Sequence, residues 1–91
     1  MAFNNRNLSV LAYANGFTLW HYITEDTRTA VMAGGYFDPV REMLRVGDTI
    51  IAHLDTDGDI DIRMLAVRTS GEGGVRVKDL TGGAPRMEVT P

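Results

Sequence analysis

The chain has 91 residues, a formal net charge of −3 and no cysteine. That length makes one domain, which buries only roughly two-thirds of the surface its unfolded chain exposes, so association with a partner or with itself would stabilise it. Disulfides and thiolate metal sites are excluded, no apolar run approaches the ~20 residues of a bilayer span, and the mixed charges lack the basic stripe of a nucleic-acid binder.

The opening Met1-Ala2-Phe3-Asn4-Asn5-Arg6-Asn7 is polar and has no apolar core of a secretion signal. It reads as a flexible N-terminal arm, 1–7, and fits synthesis in the cytoplasm. Leu8 to Tyr13 carries β-branched and aromatic residues, and Asn15-Gly16 follows, the strongest two-residue turn signal. From Phe17 to Thr24 the alternation sets Phe17, Leu19, His21 and Ile23 on one face and Thr18, Trp20, Tyr22 and Thr24 on the other. These two stretches predict a hairpin.

Asp26 is placed to cap a short helix near 27–33, stopped by Gly34-Gly35. Asp38-Pro39 opens a second, near 39–46, with Val40, Met43 and Leu44 on one apolar side and Gly47 at its end. Three strands follow: Asp48 to Leu54, Ile60 to Arg68, and Val75 to Leu80, separated by Asp/Gly-rich turns. They suggest an antiparallel meander. The tail 81–91 reads as extended, with Met87-Glu88-Val89 a possible edge strand. The expected fold is mainly β, a small antiparallel β-sandwich or partly open barrel with one or two short helices. Its β-rich domain covers 8–80.

Asp55-x-Asp57-Gly58-Asp59-x-Asp61 is the one local pattern that suggests a metal, because calcium takes six to eight oxygens. Asp55, Asp57 and Asp59 are weak candidates. The Gly stands too early for an EF-hand, the twelfth position is Ala66, and the same residues suit a hairpin turn. His21 and His53 sit in strands with no ligand partner at local spacing. Ser9 and Ser70 lack a glycine elbow, and Gly71-Glu72-Gly73-Gly74 is followed by no Lys-Ser or Lys-Thr helix. The expectation is a binding protein that is not an enzyme and uses no cofactor. Trp20, Tyr22 and Tyr36 are candidate contact residues, since aromatics with polar tips are enriched at interfaces.

Two stretches carry a resemblance. Asn7-Leu-Ser-Val-Leu-Ala-Tyr-Ala-Asn-Gly-Phe-Thr-Leu-Trp-His-Tyr22 and Gly35-Tyr-Phe-Asp-Pro-Val-Arg-Glu-Met-Leu-Arg-Val-Gly-Asp48 together resemble small proteins encoded in the structural gene blocks of tailed bacteriophages. The shared pattern is Gly-Tyr-Phe, a short helix, Leu-x-x-Gly-Asp and a β meander, over roughly half the chain. It implies a capsid decoration, or cement, protein on the virion surface. Such a protein binds the major capsid protein and its own copies, often as a trimer, and touches neither nucleic acid nor membrane. Phe3, Asn4 and Arg6 of the arm then join the contact candidates, because an arm that orders on binding adds interface. A tail or fibre-attachment protein and a small ligand- or calcium-binding β domain are the competing readings.

Overall fold

The computed structural model of the protein describes residues 3–81. Five strands form one sheet in sequence order: β1 (Leu8–Ala14), β2 (Phe17–Ile23), β3 (Thr49–Leu54), β4 (Asp61–Thr69) and β5 (Arg76–Asp79). β1 and β2 pair antiparallel around Asn15 (φ 56°) and Gly16 (φ 87°), both left-handed as a two-residue hairpin turn requires. The expected meander is the antiparallel run β3–β4–β5. Every predicted strand up to Leu80 is present to within a residue or two, and the fold is mainly β as expected.

The strands lie in one sheet, however, and β2 and β3 run parallel. A parallel pair needs a long crossover that passes over a sheet face. Residues 24–48 make it, and this segment takes the place a second sheet would occupy. It lays Val31, Phe37, Val40 and Leu44 on Trp20, Tyr22, Ile50, Ala52, Leu54, Leu65, Val67 and Val75, all buried. The core therefore lies on one side of the sheet.

The crossover is less helical than its sequence suggests. Only α1 (Arg28–Val31) forms in the first region, capped by Thr27 rather than by Asp26; the Thr27 hydroxyl accepts from Ala30 N at 3.4 Å. The second region holds one three-ten turn, Asp38–Val40, followed by a single further turn in which Met43 N and Leu44 N donate to Val40 O at 2.9 and 3.1 Å. The Asp38 carboxylate does not cap it but accepts from Val75 N at 2.8 Å, tying the crossover to the entry of β5. A helix this short is held by packing more than by its own bonds, and here Val40 and Leu44 supply the buried contacts. Met43 of the predicted apolar side faces outward.

The arm packs against the domain. Phe3 stacks on Tyr22, with ring centroids 5.1 Å apart and 13° between planes, and sits edge-on to Tyr36 and Phe37. Asn4 N donates to the Tyr22 hydroxyl at 3.2 Å, and residues 5–7 form a three-ten turn. Residues 3–7 are thus docked on the domain. At the other end, Thr81 is tied to the sheet through its hydroxyl, which accepts from Met64 N at 2.7 Å. The possible edge strand at Met87–Val89 lies outside the described residues.

Asp48 locks the parallel pair. Its buried carboxylate accepts from Thr18 N at 3.0 Å, Trp20 Nε1 at 3.1 Å and Arg45 N at 3.1 Å. Its own carbonyl accepts from Val67 N at 2.9 Å. One residue therefore joins β2, the crossover and β4 at the mouth of β3, and its three donors offset the cost of burying a carboxylate.

Candidate docking face

Successive strand side chains point to opposite faces. Since Trp20 and Tyr22 face the crossover, Phe17, Leu19, His21 and Ile23 face away. By the same alternation Thr49, Ile51 and His53 on β3, Ile62, Met64 and Ala66 on β4, and Lys78 on β5 share that second face, with the exposed Arg68 following Ala66 at the irregular end of β4. The register aligns them in rows: Ser9, His21, Ile51 and Met64; Leu19, Thr49, Ala66 and Lys78; Ile23, His53 and Ile62. Leu80, whose N donates to Met64 O at 2.8 Å, continues the first row.

No described segment covers this face. Phe17 is 54% exposed, Ile62 57% and Met64 44%, and Ile23 and Leu80 are also exposed. Lys78 is the one formally charged side chain in these rows. Contiguous exposed apolar patches larger than a few hundred Å² are uncommon on monomeric proteins.

Its polar centre is a histidine pair. His21 Nε2 and His53 Nδ1 are 2.9 Å apart, so one ring donates to the other. The rings come from adjacent strands, with centroids 4.9 Å apart. The parallel pairing of β2 with β3 brings them together, and this pairing is what local spacing could not reveal. The facing nitrogens satisfy each other, which leaves His21 Nδ1 and His53 Nε2 as the polar atoms this pair offers to water or a partner.

The rim at β2 is shaped by Gly47, whose φ is +98°. A Cβ there would come within 2.5 Å of the Phe17 ring, so Phe17 lies flat against bare backbone. On the outer strand β1, Val10 and Tyr13 pair with Trp20 and Thr18 and so lie on the crossover side, yet they are exposed, as is Leu11 in the irregularity between Val10 and Ala12.

The contact candidates fall elsewhere. Trp20 and Tyr22 are buried in the core, and the exposed side of β2 is the one that carries Phe17 and Ile23. Tyr36 is half-buried. Its hydroxyl donates to Asp26 Oδ2 at 2.7 Å and lies 2.8 Å from the Tyr22 hydroxyl. Burial, then the hydrogen bonds to Tyr22 and Asp26, holds its ionisation well above the ordinary tyrosine range. Phe3 is packed against the core, and Asn4 is spent on Tyr22 and on Arg6 N, leaving the Arg6 side chain exposed.

The aspartates of the β3–β4 turn do not gather around one point. Asp55 (φ 54°) opens the turn and accepts from Gly58 N through its carbonyl, while Asp57 and Asp59 face solvent. Asp61 pairs with Arg63 at 2.8 Å. Among the described residues, no group of three or more acidic or histidine side chains is placed to hold a metal ion.

Compared with protein-family models, with curated proteins and with solved structures, the chain has no match. The class that the fold defines is a one-layer β sheet, backed on one side and, among the described residues, open on the other.

Proposed function

We propose that the chain is a structural, protein-binding module of a tailed-bacteriophage head, decorating the capsid by binding the major capsid protein and its own copies. The observation that carries the binding role is the apolar sheet face around Ile62, Met64 and Phe17, which no described segment covers. Leaving that much apolar surface in water costs about 25 cal/mol for each Å² that a partner would remove. A small domain with a thin stability margin has the most to gain from such a cover. The exposed Val10, Leu11 and Tyr13 on β1 supply a second apolar surface, so contacts with neighbouring copies and with a shell can be separate. The phage setting is supported by the resemblance of the two sequence stretches. Many weak contacts held in a symmetric array give high avidity, which is how a chain of this size reinforces a shell.

Quantitative mass spectrometry of purified particles tests the reading. Decoration requires copy numbers comparable with the capsid protein. A handful of copies would instead indicate a tail or fibre component, and absence from particles would refute both.

A further inference from the structure

We infer that the open sheet face is covered by the same face of a second copy, giving a two-fold dimer in which two sheets pack face to face. The inference rests on the protein-binding reading above and names the occupant of that surface.

Area is the first argument. Five strands ~4.8 Å apart and about seven residues long span roughly 24 by 23 Å, about 550 Å² before side-chain relief is added. Two such faces remove roughly 1,100 Å² or more from water, which reaches the threshold of about 1,000 Å² for a specific interface. Sheets stack ~10 Å apart with strand directions about 30° apart, and the flat rows of Ile51, Ile62 and Met64 suit that packing.

Charge is the second argument. A strongly charged partner would meet Lys78 and, at the end of β4, Arg68, but no carboxylate on these rows. An identical face meets apolar surface with apolar surface. With the two-fold axis passing near Ile51 on the central strand, β5 of one copy lies over β1 of the other. The two Lys78 side chains then sit at opposite margins, where each can reach water. The His21–His53 pair falls near the axis already bonded within itself, so covering it leaves the facing nitrogens satisfied.

Symmetry is the third. A self-complementary contact closes at two copies, whereas the three copies implied by the phage resemblance need a head-to-tail contact between different surfaces.

Sedimentation velocity of the full chain at tens of micromolar should give the mass of two copies. Ile62→Asp and Met64→Lys alter side chains that are exposed in the single chain, so each should keep the far-ultraviolet circular dichroism of the parent and sediment as a monomer, with at least a tenfold weaker dimer. A monomeric or trimeric parent would overturn the inference, as would a dimer unaffected by either substitution. If one variant fails to fold, the other and the mass of the parent still decide. Particle binding by a parent that is monomeric would leave the proposed function standing while removing the dimer; a dimer that never enters particles would do the reverse.

Discussion

Trp20 Nε1 donates to Asp48 Oδ2 at 3.1 Å inside the core, linking the middle of β2 to the residue that opens β3. That bond crosses the parallel pair, the one junction in the sheet that no short turn enforces. Asp48→Ala leaves Thr18 N, Trp20 Nε1 and Arg45 N without their acceptor and should cost about 2–4 kcal/mol in urea unfolding. Asp48→Asn keeps the shape but turns an amide N–H toward one of those donors, so its loss should be intermediate. Equal stability of the parent and Asp48→Ala would contradict this role.

Gly47 and Phe17 form a coupled pair. Gly47→Ala introduces a Cβ against the Phe17 ring and strains a residue at φ +98°. It should destabilise by about 1–3 kcal/mol. In a Phe17→Ala background the steric part disappears and the strain remains. A double-mutant cycle should therefore give a coupling of at least ~0.5 kcal/mol. Strict additivity would mean the ring simply moves aside.

The docked arm makes a prediction opposite to that of a loose one. Phe3→Ala removes the stack on Tyr22 and two edge contacts, and should cost about 1–3 kcal/mol. Thermal unfolding with no loss on this substitution would return residues 3–7 to the status of an unattached arm.

Tyr36 sets an alkaline limit. In the unfolded chain its hydroxyl ionises near pH 10, while burial and the bonds to Tyr22 and Asp26 keep it protonated in the fold to higher pH. Above about pH 10 the unfolded state therefore binds fewer protons than the native one, and stability falls as pH rises. This contribution is fully present below pH 10. Tyr36→Phe should flatten the alkaline fall between about pH 10 and 11.5 relative to the parent, followed by denaturant titration at each pH. An unchanged slope would show that Tyr36 ionises equally in both states.

The strands were legible because their alternation is local: Asn15-Gly16 names its own turn, and Ile60 to Arg68 shows its period of two. Helix signals at Asp26 and Asp38 misled for a physical reason. Both carboxylates are drawn to long-range partners, Tyr36 and Val75 N, that outcompete local capping. Alternation also shows two faces without saying which is covered. On β2 the aromatic side went inward because the crossover supplied Phe37 and Tyr36 to meet Tyr22. The His21–His53 contact depends on strand order, which no local spacing encodes.

The most direct test of the open face uses two methionines of similar exposure in the single chain. Met64, 44% exposed, lies on that face, and Met43, 51% exposed, lies on the crossover. Peroxide oxidation of the full chain at assembly concentration, followed site by site by mass spectrometry, compares them in one sample. If a second copy covers the face, Met64 oxidises several-fold more slowly than Met43, and the difference disappears in Ile62→Asp. Equal rates for the two methionines in the assembled protein would contradict the account.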